Sequence, residues 1–127
     1  MKIDHAKLWA EGRYIDLWTI PHILAGVLLG GYLYWLGVSF EINLAVTTIL
    51  VISWEFFELH FLGVHEYFTN SLMDIIVALI GFAFMYFLII KYSLETVIPH
   101  LLALTAVYIF LNAWGFLAYQ KKKLERF

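Results

Sequence analysis

Residues 71–90, SLMDIIVALIGFAFMYFLII, decide the fold, because twenty consecutive residues carry a single charge, that of Asp74. A run of about 20 apolar residues is long enough to cross the hydrocarbon of a bilayer as an α-helix. Three further apolar runs flank it, at about 19–40, 42–62 and 97–119. Over the whole chain 63% of residues are hydrophobic and 14% are charged, and the mean hydropathy is +0.83. We therefore predict an all-α, polytopic integral membrane protein whose 127 residues form one domain, a four-helix transmembrane bundle.

Composition excludes several classes of protein. The net charge is −2 at pH 7, and no basic stripe with interleaved aromatic residues is present, so we expect no nucleic-acid partner. The chain has no cysteine, which excludes disulfides, thiolate metal sites and cysteine nucleophiles. Residues 1–18 mix acids with bases and lack the pattern of a cleavable signal peptide. Within them, residues 1–16 predict a short segment that lies in the membrane interface.

The basic residues predict the orientation in the membrane. All but one of the eight Lys and Arg residues lie near the two ends of the chain: Lys2, Lys7, Arg13, Lys121, Lys122, Lys123 and Arg126. An even number of spans places both termini on the same side, and the positive-inside rule makes that side cytoplasmic. We therefore expect a protein of the cytoplasmic (plasma) membrane whose basic termini contact anionic lipid.

Polar side chains inside the predicted spans are the main indication of function. A charge at bilayer depth costs about 2.5–3.5 kcal/mol, so the carboxylates of Glu55, Glu58 and Asp74 call for a functional reason. At about 1.5 Å per residue, these acids, His22 and Asn112 lie roughly 6–12 Å inside the cytoplasmic ends of their helices. Four helices are thus predicted to place polar groups in one layer near the cytoplasmic leaflet.

The predicted helix faces agree with these depths. His22 shares one face with Gly26 and Gly30, a Gly-x-x-x-Gly pattern that lets two helices approach closely. A second small face with a polar end, on the third helix, consists of Asn70, Asp74, Ala78 and Gly81. Glu55 and Glu58 are three residues apart and therefore adjacent, so they repel each other unless a cation or a shared proton lies between them.

The combined set of side chains favours a divalent metal site. One imidazole with carboxylate and amide oxygens suits Zn²⁺, Mg²⁺, Mn²⁺ or Fe²⁺. The candidate ligands are His22, Glu55, Glu58, Asp74, Asn70 and Asn112. The candidate catalytic groups are the three acids Glu55, Glu58 and Asp74. The spacing does not identify the metal, because Glu55-x-x-Glu58 lacks the His of a ferritin-like Glu-x-x-His pair, and His65-Glu66 lacks the second His of a His-Glu-x-x-His motif.

Each polar residue also has a purely structural interpretation. Ser71 and Asp74 have the spacing of a helix capping box, and a hydrogen bond from His22 to another helix would explain that residue. Arg13 or the lysines at 121–123 would neutralise the acids if they reached them from the surface. The residues expected to be solvated in or beside the second connector are His60, His65 and Glu66.

Three short motifs occur in order along the first three spans: His22-x-x-x-Gly26, Trp54-Glu55-x-x-Glu58 and Asn70-x-x-x-Asp74. This order resembles the small multi-pass bacterial and archaeal proteins of the YjdF-like type and, more distantly, the VanZ-like proteins. In the YjdF-like pattern an Asp often stands at the position of Asn70, and those proteins are longer. The resemblance implies a common polar site and names no reaction.

Three functions remain open. The preferred one is a metal-dependent site that acts on a lipid head group or lipid-linked phosphate, with one carboxylate as general base. The second is a proton- or cation-coupled transporter or channel in which the same acids exchange protons. Four helices enclose little volume, so a transport path would need a homo-oligomer. The third is a scaffold subunit of a membrane complex, which leaves the acids in the bilayer unexplained.

Overall fold

Five α-helices follow one another in a computed structural model that describes residues 2–63 and 66–125. They are α1 (His5–Leu8), α2 (Thr19–Trp35), α3 (Phe40–His60), α4 (Phe68–Tyr92) and α5 (Leu94–Glu125). No β-strand occurs in the described residues. The prediction of an all-α fold is therefore confirmed.

Three of the helices are long and apolar enough to cross a membrane: α3, α4 and residues Leu94–Lys121 of α5. Helix α2 has 17 residues and is slightly shorter than the roughly 20 residues that a span needs. It ends at Trp35 because Gly37 adopts a positive φ of 83°, and Ser39 then caps α3 by accepting a hydrogen bond from Ile42 N. The apolar run 19–40 thus contains one helix and a turn.

The crossing of α2 and α4 forms the centre of the bundle. A Cβ atom on Gly26 would lie only 2.6 Å from the carbonyl carbon of Ala78, and one on Gly81 would collide with the carbonyl oxygen of Ile23. Only glycine therefore permits this close contact between the two backbones. Ala78 and Phe82 of α4 are almost fully buried there. The two small faces predicted from the sequence do pack against each other.

A buried polar cluster in the first half of α3 connects this helix to the crossing of α2 and α4, whereas the predicted acids of α3 lie in its second half. The side chain of Asn43 donates to the carbonyl of Gly30 at 3.0 Å and to the hydroxyl of Tyr86 at 2.8 Å. Thr47 in turn donates to Asn43 Oδ1 at 3.2 Å. These bonds satisfy a side chain that has no exposed surface, so they fix the position of α3 against α2 and α4.

The bundle is open on one side. Helix α2 packs against α3, α4 and α5, and α4 packs against α3 and α5. In residues 2–63 and 66–125, no Cα atom of α3 lies within 8 Å of one in α5. A gap therefore separates these two helices, with α2 as its floor.

The N-terminal segment folds back onto one end of the bundle. The indole of Trp9 is 4% exposed, and it packs edge-on against Trp18 and Trp114, with ring centroids 4.6 and 5.4 Å away. Trp18 Nε1 also donates to the carbonyl of Trp9 at 3.0 Å. The segment forms a single helical turn, α1, and is otherwise irregular. It therefore covers the end of the bundle at which α2 begins.

Candidate metal site

Three helices bring one histidine and two acids together. His22, in the first turn of α2, places Nε2 at 3.2 Å from Oε1 of Glu55 and Nδ1 at 3.5 Å from Oδ1 of Asp74. The side chains of His22, Glu55 and Asp74 are 11%, 9% and 1% exposed. One ligand atom from each residue lies within 4.8 Å of the other two. This spacing is compatible with a shared metal ion.

The glycine contact between α2 and α4 explains why His22 and Asp74 meet. His22 lies four residues before Gly26, and Asp74 lies four residues before Ala78. Since residues four apart lie on the same helix face, both side chains stand one turn from the point where the backbones touch. The small residues thus set the distance between the imidazole and the carboxylate.

The hydrogen bond on His22 Nδ1 fixes the role of its other nitrogen. Nδ1 lies 2.7 Å from the carbonyl oxygen of Trp18, and a carbonyl can only accept, so Nδ1 carries a proton. Nε2 faces Glu55, but the pair lacks the angle of a hydrogen bond. A backbone carbonyl that holds one ring nitrogen while the other is free is the usual arrangement of a histidine that binds a metal.

Several buried oxygen atoms at this site have no hydrogen-bond partner among the described residues. They are both carboxylate oxygens of Glu55, both of Asp74, and Oδ1 of Asn70. Buried polar atoms are normally paired, and an unpaired buried carboxylate is especially costly. The site therefore has more hydrogen-bond acceptors than the described residues supply donors or positive charges for.

A second group of acids adjoins the first. One carboxylate oxygen from each of Glu55, Glu58 and Glu66 lies within 4.8 Å of the others. Glu58 Oε1 accepts from Trp54 Nε1 at 2.7 Å, and Glu66 Oε1 accepts from Ser71 Oγ at 2.6 Å. The prediction that Glu66 is a solvated connector residue is therefore wrong, because its half-buried side chain turns toward the acids of α3.

The two asparagines have different positions. Asn70 is fully buried, and its Nδ2 donates to Asp16 Oδ2 at 2.9 Å and to the carbonyl of Tyr14 at 3.3 Å. Its Oδ1, the atom able to bind a metal, keeps no partner. Asn112 is half-buried, donates to the carbonyl of Tyr108 at 2.8 Å and lines the same cavity as His22 and Glu58.

The structural interpretations of these acids find little support. Helix α4 begins at Phe68, so Ser71 is already inside it, and Asp74 accepts no capping hydrogen bond. The capping box is therefore wrong. The guanidinium of Arg13 lies over the ring of Tyr67, 5.9 Å from its centroid. Among side chains that the structure describes, the only ion pairs are the two of His22.

The other residues discussed from the sequence lie at the end of α3, in the connector that follows it and at the C-terminus. His60, at the end of α3, is exposed as expected. His65 lies outside the described residues, as do the side chains at positions 122 and 123.

Two acids of the N-terminal segment extend the cluster, and no residue spacing predicts their position. Burial, together with the nearby charges of Asp16, Glu66 and Glu58, raises the pKa of Glu11 from 4.5 to about 10. Glu11 is therefore neutral near pH 7. Asp16 accepts from the backbone N of Gly12 at 2.9 Å as well as from Asn70. An irregular segment has no helical period, so its contacts cannot be read from residue spacing.

A cavity of about 280 Å³ adjoins the acids, in the gap between α3 and α5. His22, Glu58 and Asn112 lie at its polar end, and apolar side chains such as Leu29 and Leu50 form its walls. The cavity therefore joins a polar end, next to the candidate metal site, to an apolar channel along α2.

Comparison with known proteins yields no match to a protein-family model, a curated protein or a solved structure. The relation to the YjdF-like and VanZ-like proteins therefore stays a prediction. Function has to be inferred from the geometry of the site.

Proposed function

We propose that this is an integral membrane protein that binds a divalent metal ion at His22, Glu55 and Asp74. One observation carries the proposal: two carboxylates that are nine-tenths or more buried face one imidazole, and all four of their oxygens lack a hydrogen-bond partner among the described residues. A bound cation would supply the positive charge that these acids lack. Nitrogen with carboxylate oxygen suits Zn²⁺, Mn²⁺ or Fe²⁺ and, less well, Mg²⁺.

The cavity favours a lipid head group or lipid-linked phosphate as the substrate. Its apolar walls suit an acyl or isoprenoid chain, and its polar end brings a head group beside His22 and Glu58. A divalent metal there would polarise a phosphoryl oxygen or a water molecule, and Glu58, the acid that lines the cavity, is the candidate general base.

The proposed setting is the plasma membrane, with both termini cytoplasmic. Three helices fit membrane spans by length and composition, and α2 is proposed as the fourth, completed by the turn residues that follow it. The packing of Trp9 against Trp114 supports this topology, because it places the N-terminal segment at the same end of the bundle as the second half of α5. The basic residues of both termini would then meet anionic lipid on one side.

Metal analysis of the purified protein tests the site. Protein in detergent is loaded with Zn²⁺ or Mn²⁺, desalted and analysed by mass spectrometry for metal, alongside His22→Ala and Asp74→Asn. The matched control is Glu41→Gln, which removes an exposed acid from the other end of α3. We expect metal in the parent and control proteins and a loss of at least tenfold in affinity in the two site variants. A parent protein that retains no metal, or site variants that bind as tightly as Glu41→Gln, would refute the proposal.

Lipid retention tests the substrate class. Native mass spectrometry of protein extracted from phospholipid membranes is compared for the parent, Ala25→Trp, which fills the cavity, and Ala103→Trp, which adds the same side chain to an exposed position of α5. We expect bound phospholipid in the parent and in Ala103→Trp and its loss in Ala25→Trp. Equal retention by both tryptophan variants would exclude the cavity as a lipid site.

The second candidate function is proton-coupled transport, which one observation favours. Glu11 and Asp16 continue the line of acids from Glu66 out to the N-terminal segment, as a proton path would require. Proteoliposomes with a pH-sensitive dye inside test it. Proton flux that Glu66→Gln abolishes would support transport, and the absence of flux in the parent protein would exclude it.

A further inference from the structure

The two groups of candidate ligands share one residue, Glu55. With His22 and Asp74 it forms the first group, and with Glu58 and Glu66 it forms the second. Its side chain is 9% exposed, and neither of its oxygens has a hydrogen-bond partner in the described part of the chain. A carboxylate with two free oxygens between two ligand sets has the arrangement required to bridge two cations.

Hydrogen bonds hold three of the four outer residues and leave one ligand atom free on each of those three. His22 is held through Nδ1 by Trp18, Glu58 through Oε1 by Trp54, and Glu66 through Oε1 by Ser71. The distances of these three bonds are 2.7, 2.7 and 2.6 Å. Partners of this kind orient metal ligands and raise their basicity. Asp74, like Glu55, has no hydrogen-bond partner for either oxygen among the described residues, so what distinguishes Glu55 as the bridging ligand is its place in both groups.

The balance of charge also indicates two cations. The two groups contain four carboxylates, those of Glu55, Glu58, Glu66 and Asp74. His22 forms the only ion pairs among the side chains that the structure describes, and its Nε2 is the atom that a metal would use. With all four carboxylates ionised, one divalent cation would leave two negative charges without a counter-charge among the described residues, whereas two divalent cations would balance all four.

We infer that the site holds two divalent cations bridged by the carboxylate of Glu55, the first bound by His22 and Asp74 and the second by Glu58 and Glu66. This inference rests on the proposed metal-binding function. Paired cations about 3.5–4 Å apart clamp the attacking and leaving oxygens in phosphoryl transfer, which favours phosphate esters as the substrate class. In this arrangement Glu58, which lines the cavity, binds the second cation and does not serve as the general base.

Metal stoichiometry tests the inference. The full chain in detergent is titrated with Mn²⁺, and bound metal is counted after desalting. We expect two ions per chain in the parent and in the control Glu95→Gln, which removes an exposed acid at the start of α5. The double variant Glu58→Gln and Glu66→Gln should keep one ion. A parent that binds one ion, or a double variant that still binds two, overturns the inference.

Electron paramagnetic resonance of Mn²⁺ in the parent protein gives a readout that needs no variant. Two ions bridged by one carboxylate are exchange-coupled, so the six-line signal of isolated Mn²⁺ should weaken as the second equivalent binds. Two equivalents that show only the signal of isolated ions would overturn the bridge. A parent that binds no metal refutes the proposed function itself, whereas one uncoupled ion refutes only the second site.

Discussion

Gly26 sets the separation of α2 and α4, so replacing it with alanine should both destabilise the bundle and weaken the site. The new Cβ would collide with the carbonyl oxygen of Ala78 and lie 2.6 Å from its carbonyl carbon. Because carbon atoms in contact need about 3.5–4.0 Å, the helices have to separate by at least about 1 Å. Forced overpacking costs about 1–3 kcal/mol, and a clash with backbone belongs at the upper end. Alanine recovers about 1 kcal/mol of helix propensity, which leaves a net loss of about 2 kcal/mol.

Gly30→Ala, one turn further along α2, is the matched control. Its Cβ would meet the Phe82 ring at 3.0 Å, which a side chain accommodates by a shift of a few tenths of an ångström. The gain in helix propensity then offsets the contact, and we expect stability within about 0.5 kcal/mol of the parent.

Unfolding in SDS, followed by far-ultraviolet circular dichroism, measures both free energies, and the metal titration is repeated on each protein. Because a 1 Å separation lengthens the 3.5 Å distance between His22 and Asp74, Gly26→Ala should also bind metal more weakly. If Gly26→Ala and Gly30→Ala proved equally stable and bound metal equally well, the role given to the glycine contact would be wrong.

Three further predictions concern the surroundings of the site. Trp54→Phe removes the hydrogen-bond donor to Glu58 in the second acidic group and should weaken metal binding about tenfold in a metal titration. The control Trp35→Phe, at an exposed position, should bind metal as the parent protein does. The pKa of Glu11 rises from 4.5 to about 10 on folding, so its contribution to stability is full below pH 4.5 and is lost as the pH rises through 10. We therefore expect the unfolding free energy of Glu11→Gln to fall less than that of the parent protein when it is measured at increasing pH. In this cysteine-free chain, Lys7→Cys and Leu36→Cys should react with impermeant maleimide from opposite sides of the membrane, and labelling from the same side would contradict the proposed topology.

Helix period and depth predicted the core of the site well, because both are set by the regular geometry of α-helices. His22 and Asp74 meet since each lies one turn from a small residue at the α2–α4 contact, and that spacing is visible in the sequence. Glu55 reaches them because it lies at a similar depth on α3. For these three residues, position along a regular helix is sufficient to predict which side chains lie close together.

The rest of the site depends on segments without such regularity. Glu66 lies in a connector and Glu11 in an irregular N-terminal segment, where residue spacing does not fix direction. Asn112 is at a suitable depth, but α5 stands away from α3, so Asn112 and Glu58 line one cavity from two separated helices. Depth along a helix says nothing about the lateral separation between helices.

The gap between α3 and α5 has a kinetic consequence. In a closed four-helix bundle a ligand enters only when helices part, and that motion limits the rate of exchange. Here α2 forms the floor of a cavity whose two sides, α3 and α5, are not in contact in the described residues, so the proposed lipid ligand would arrive by lateral diffusion along the leaflet. Its chain would stay in hydrocarbon throughout, and only its polar end would change surroundings. Turnover at such a site would depend on how fast the molecule diffuses in the bilayer and would not require the protein to open.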